Sequence, residues 1–104
     1  MIGLILKSEQ SIEEWGNDWI PDPIDSQTLN EAFLEVLGYQ PKQEEFCHDK
    51  GGNLIHFTID DLDSPRSITF NCTPNEVESK IISRLSKHLN AKIYDSEMSD
   101  FVQL

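Results

Sequence analysis

From Ser8 through Pro41 the chain has no lysine, arginine or histidine, although eight carboxylates lie in that stretch. Other absences narrow the field further. Nothing approaches the roughly 20 consecutive apolar residues of a membrane span. The short apolar run in "MIGLILKS" has no basic region ahead of it and no small-residue cleavage site behind it, so it is not read as a signal peptide. A cytosolic chain is the expectation. Only two cysteines occur, Cys47 and Cys72, with no C-x-x-C spacing, and without an export signal they are expected as free thiols. "NCT" at 71–73 has no meaning as a glycosylation acceptor in such a chain. His48, His56 and His88 are not spaced as a zinc ligand set, so no metal or other cofactor is expected. There is no internal repeat, no low-complexity segment and no recognised catalytic motif. A nucleic-acid binder needs a basic patch to displace counterions from phosphate. The one basic run here, Lys80, Arg84, Lys87 and Lys92, is mixed with Glu76 and Glu78, which argues against direct nucleic-acid binding.

What is present supports one folded domain over residues 1–104. The apolar share is 38%, nine residues are aromatic, and the net charge is -11. A chain of this length can bury roughly two thirds of its unfolded surface in one core. The charge is unevenly placed. Residues 1–63 hold 14 acids and three bases, whereas residues 64–104 hold five of each. A negative field confined to one part of a small domain repels nucleic acid and anionic lipid and speeds encounter with basic surfaces.

Apolar periodicity places the elements. "IGLIL" at 2–6 reads as a buried strand. Ser11 and Glu14 have capping-box spacing for a short helical turn, and Pro21 and Pro23 then force an extended passage. Thr28 and Glu31 repeat that spacing ahead of Leu29, Ala32, Phe33, Val36 and Leu37, one apolar helix face that Gly38 ends. Glu31 and Glu35 share another face. Like charges four apart cost a helix about 0.2–0.5 kcal/mol, and no base on this helix offsets them.

Between Gln43 and Thr73 the pattern becomes that of strands. Gly51 and Gly52 separate two alternating runs, which is a hairpin signal. A two-residue turn there sets Phe46 opposite Phe57, His48 opposite Ile55, and Cys47 opposite His56 on the other surface. "RSITFNC" adds a third strand after the acidic turn "DDLDSP". In "TPNEVESKIISRLSKHLN", Thr73 is expected to cap a helix with Pro74 at its first position and Glu76 completing the box. Val77, Ile81, Leu85 and Leu89 form its apolar stripe, and Asn90 ends it. "AKIYD" and "FVQL" read as closing strands. The expected fold is α+β, a two-layer sandwich with two main helices on one face of a mainly antiparallel sheet. The order βαβββαβ makes it a ferredoxin-like variant.

Three groups of residues carry candidate chemistry. Cys47 beside His56 pairs a thiol with a base, which a small thiol-dependent enzyme would need. No third orienting residue is evident, and Glu44, Glu45 and Asp49 oppose a thiolate. Asp60, Asp61 and Asp63 are spaced for a hard cation but lack the glycine and closing glutamate of an EF-hand loop, so a solvated turn is the better reading, with adventitious metal binding and a contact with a basic partner as the alternatives. The third group is "EEWGNDWIPDPID" at 13–25. Trp15 and Trp19 either clamp this loop onto the core or supply an interface anchor, ringed by Asp18, Asp22, Asp25, Glu31 and Glu35. Both roles are compatible, because a loop pinned by one indole presents its acids rigidly.

In character the chain resembles the immunity proteins of bacterial contact-dependent growth inhibition systems, and acidic nuclease inhibitors more generally. The features in common are the short chain, the α+β domain without a catalytic motif, and the acids gathered in "EEWGNDWIPDPID", "NEAFLEVL" and "DDLDSP". The resemblance implies a non-catalytic, cytoplasmic monomer or weak dimer. It would bind and neutralise a toxin domain, often a basic nuclease, delivered by a neighbouring cell. The partner-binding residues are then expected among Trp15, Asp18, Trp19, Asp22, Asp25, Glu31, Glu35, Asp60, Asp61 and Asp63. A regulatory or adaptor subunit that dimerises through its exposed sheet face is the alternative from another class.

Overall fold

A computed structural model describes residues 1–73 and 75–104. Eight main elements run in the order β1 (Ile2–Leu6), α1 (Ser26–Leu37), β2 (Glu45–Lys50), β3 (Asn53–Ile59), β4 (Ser67–Cys72), α2 (Glu76–Leu89), β5 (Lys92–Asp95) and β6 (Asp100–Val102), with one 3-10 turn at Ile12–Glu14. The strands form a six-stranded sheet in the order β2-β3-β4-β1-β5-β6. Every neighbouring pair is antiparallel. The fold is therefore α+β, a six-stranded antiparallel sheet with two helices.

Alternation along the strands makes the core. Ile59, Ile68, Ile5, Ile93 and Val102 stand opposite one another in turn, an aliphatic row across five strands. Beside it runs the aromatic row Phe46, Phe57 and Phe70. That row ends at Gly3, which pairs with Phe70. A Cβ on Gly3 would sit 2.6 Å from Phe70 Cζ and 2.7 Å from the Tyr94 carbonyl oxygen, so only glycine allows the ring and backbone to close here. Leu29, Ala32 and Phe33 of α1, with Ile81, Ile82, Leu85 and Leu89 of α2, cover these rows from one side. Phe33 meets both Phe46 and Phe57 edge-on, at 5.7 and 5.5 Å between centroids. Val77, expected in the apolar stripe of α2, is instead exposed, and Ile82 takes the buried place.

The hairpin has the expected register, with Phe46 opposite Phe57, Cys47 opposite His56 and His48 opposite Ile55. Its turn residues Gly51 and Gly52 both have positive φ, 61° and 89°, as a turn matching the strand twist requires. The helix starts differ from expectation. Asp25, not Thr28, caps α1, its side chain accepting from the Thr28 backbone N–H at 3.0 Å. On α2 the cap is Asn75, which accepts from the Glu78 N–H at 2.8 Å, so the Thr73–Glu76 box does not form. Pro74, expected at the first helical position, lies outside the described residues. Gly38 and Asn90 end the helices in left-handed conformations, as expected.

Candidate partner-binding surface

The loop after β1 brings Trp15 onto the face of the sheet that the helices leave open, while Ile24 at its far end is buried in the core. The Trp15 ring lies 5.5 Å from Tyr94 and 5.7 Å from Phe101, edge-on to the latter, and its Nε1–H donates to Ser8 Oγ at 3.2 Å. Tyr94 and Phe101 are cross-strand partners on that face, and the Lys92 ammonium stands 4.9 Å from the Phe101 ring centre. Trp19 stacks on Trp15 at 3.9 Å with the planes 13° apart. Both indoles are half-buried. Their roles divide: Trp15 is the pin, and Trp19 is the outer member whose one aromatic neighbour among the described residues is Trp15 itself.

Two further clamps fix the acidic loops. The Asp22 N–H donates to the Lys7 carbonyl at 2.9 Å, tying the loop back to the end of β1. The Ile24 N–H donates to the Pro65 carbonyl and Arg66 Nη1 donates to the Pro21 carbonyl, each at 2.8 Å. The 21–25 segment and the β3–β4 turn are thereby joined across more than 40 residues of sequence. Within the turn, Asp60 Oδ1 accepts from the Arg66 and Ser67 N–H groups, and Asp61 Oδ1 accepts from those of Asp63 and Ser64. Asp60 and Asp61 thus shape the turn while staying exposed. Glu44, not counted among the expected partner-binding residues, joins them by accepting from the Leu62 N–H at 3.3 Å. Asp18, Asp22 and Asp63 are exposed as well.

Asp25 leads from this loop into α1. The N–H and then the hydroxyl of Thr28 hold its carboxyl below the usual carboxylate range. Further along α1, Glu31 and Glu35 are both exposed, with Glu31 accepting from Gln27 Nε2 at 3.2 Å. Among the described residues no carboxylate lies within 4.0 Å of a lysine or arginine nitrogen, and the one ion pair is His56 with Glu45, at 2.9 Å. The exposed bases Lys80, Arg84 and Lys87 sit together on α2 instead. Among the described residues, the acids of the loop, the turn and α1 therefore have no lysine or arginine in direct contact to neutralise them. The structure brings the loop and turn acids together through the clamps, while Glu31 and Glu35 occupy a separate place on the helix layer.

The remaining candidates resolve as follows. Cys47 is exposed on the open face and Cys72 is buried, both as free thiols. Burial first, and the Glu78 carboxylate second, push the Cys72 thiol up. His56 Nε2 lies 2.9 Å from Glu45 Oε1, so the third, orienting residue that was not evident in the sequence is present, two positions before Cys47 on the same face of β2. On the helix side, the Tyr39 hydroxyl meets His48 Nδ1 at 2.7 Å. Burial pushes the Tyr39 phenol up and the His48 imidazole down, Lys50 adding to the latter and Asp49 opposing it. Glu78 is buried at the start of α2, where its carboxylate accepts from the Thr73 N–H and from Asn75 Nδ2. Among the described residues no group of three or more His, Cys, Asp or Glu side chains is placed to hold a metal ion. No helix among them is long and apolar enough to cross a membrane. No protein-family model, no curated protein and no solved structure matches the chain.

Proposed function

We propose that the chain is an immunity protein, a non-catalytic cytoplasmic inhibitor that binds a cognate basic toxin domain, a nuclease by preference, through its acidic surface. The observation that carries this reading is the set of exposed carboxylates without a lysine or arginine partner, on loops held by the Trp15 pin and the Arg66–Pro21 and Ile24–Pro65 clamps. A nuclease cleft is built to receive phosphates, so rigid carboxylates compete for the same lysine and arginine side chains. Rigid presentation matters because ordering a loop on binding costs affinity. Trp19, with Ile20 exposed beside it, offers the apolar anchor that interface hot spots favour. The inhibitor acts as a monomer or weak dimer.

The architecture itself reads as a ferredoxin-like variant. β4, α2 and β5 form a split unit around β1, and the β2–β4 meander carries one strand more than the parent pattern. The test of function is co-expression. A gene for a large exported protein with a variable C-terminal domain should lie beside this one. That domain should arrest growth alone and be tolerated with this chain. Continued arrest when both proteins are expressed and soluble overturns the proposal.

A further inference from the structure

The sheet is wider than its helix layer. An α-helix is about 10 Å across and strands lie about 4.8 Å apart, so one helix covers roughly two strands. Here two helices serve six strands. α1 lies over the β2–β3 end, where Phe33 meets Phe46 and Phe57, and α2 runs over the middle and ends beside β5. The helix side of the β5–β6 end is left with a hollow of about 530 Å³. One turn of helix, roughly 10–12 Å across with a pitch of about 5.4 Å, fills about 420–610 Å³, so the space matches a single turn.

Strand alternation fixes the floor of this hollow. Ile93 and Val102 are cross-strand partners that pack on the core, and Leu104 follows Val102 on the same side. Ile93 is buried, whereas Val102 and Leu104 are only half-buried. The wall is Ser83, Ser86 and Lys87, which share one side of α2. Ser86 Oγ already donates to the Ala91 carbonyl at 2.8 Å, so its proton is placed and the wall suits apolar contact. Lys92 and Phe101 direct their side chains to the opposite face, where the Lys92 ammonium lies over the Phe101 ring and that ring meets Trp15. Among the described residues no aspartate or glutamate lines the hollow. Lys87 instead continues into Arg84 and Lys80, one and two turns earlier on α2 and equally exposed.

We propose that this hollow is a second interaction surface, which receives an acidic amphipathic helix of a partner protein. The apolar side chains of that helix cover Val102 and Leu104, and carboxylates on its flank meet Lys87, Arg84 and Lys80. The space lies above the sheet and not beside its edge, which favours a helix over an added strand. Charge selects the occupant. Two copies meeting α2 to α2 would oppose their own bases, whereas an acidic helix pairs with them. At about 0.1 M salt a charge acts over roughly 10 Å, so the bases at the rim act at closer range than the acids of the loop pinned by Trp15 to the opposite face. The surface is independent of the acidic one and of the toxin proposed to bind there.

The test is titration of the isotope-labelled full chain, at low salt, with three blocked peptides of about 18 residues, long enough to form a helix. One carries a leucine stripe flanked by glutamates, the second has lysine in place of glutamate, and the third scrambles the glutamate sequence. The glutamate peptide should give saturable amide shifts at Ser83, Lys87, Ile93, Val102 and Leu104. At these amides it should bind about tenfold tighter than the lysine peptide, the order that two or three exposed ion pairs supply, and the scrambled peptide should shift none of them. Arg84→Glu/Lys87→Glu, which changes two exposed side chains, should fold and invert the preference between the first two peptides. Absence of a saturable shift with the glutamate peptide overturns the proposal. So do equal shifts from the scrambled peptide, or a folded reversal variant that keeps the wild-type preference. Shifts along the β6 edge alone would assign a strand partner and overturn it as well. Sedimentation of the chain by itself should show no rise of mass with concentration; a rise that shifts the same amides names a second copy as the occupant and overturns the acidic partner.

Discussion

Trp15 and Trp19 lie face to face at 3.9 Å, but only Trp15 reaches Tyr94 and Phe101 on the sheet. The pair thus joins an anchored indole to a displayed one. Trp15→Ala should lower stability by roughly 2–3 kcal/mol, below the range for a fully buried ring. Trp19→Ala should cost about 1 kcal/mol, the order of one stacked pair. Urea denaturation of the two variants compares these costs directly, and equal losses would contradict the division of roles.

Gly3 faces Phe70 across β1 and β4, with no room for a methyl group. Gly3→Ala must displace either the ring or the β1–β5 pairing, and overpacking of this kind costs about 1–3 kcal/mol. The urea midpoint should fall with an unchanged slope.

Asp25 caps α1 with its carboxylate, and the folded state holds that group more acidic than usual. Its contribution is present in full above the ordinary carboxylate pKa and is lost as pH falls through the lower folded value. Asp25→Asn keeps a capping oxygen without titrating. Stability curves of wild type and variant should therefore converge as pH is lowered through the acid range.

His48 carries the same sign in a different window. Its folded pKa is depressed, chiefly by burial, so the unfolded chain takes up the proton first and stability falls as pH drops below about 6.5. The Tyr39 hydroxyl beside Nδ1 is best placed as donor to a neutral ring. A His48→Gln variant should lose this part of the pH dependence, as measured by thermal melts between neutral and mildly acidic pH.

The hairpin and its register were legible because two adjacent glycines fix a turn length and a period of two then fixes every facing pair. Helix starts were less legible. Thr28 and Glu31 have box spacing, but Asp25 stands three residues earlier with an equally good capping oxygen, and the chain begins the helix there. Asn75 with Glu78 displaced Thr73 with Glu76 in the same way. The clamps that shape the acidic surface left no local signal. They use carbonyls of Pro21 and Pro65, which every sequence supplies, and contacts of Trp15 with residues about 80 positions away. The acids themselves were visible in the sequence, whereas their rigid presentation depends on tertiary contacts.

The most direct test of the acidic working face is capture of a partner from the source cells by the tagged chain, with wild type beside Glu31→Lys/Glu35→Lys, at low and at high salt. The reversal exchanges one like-charge pair four residues apart for another, so the variant should fold about as stably as wild type. The account predicts that a basic toxin-like domain is held by wild type at low salt, weakened by high salt and lost on reversal. Capture of the same partner undiminished by both reversal and salt would contradict it.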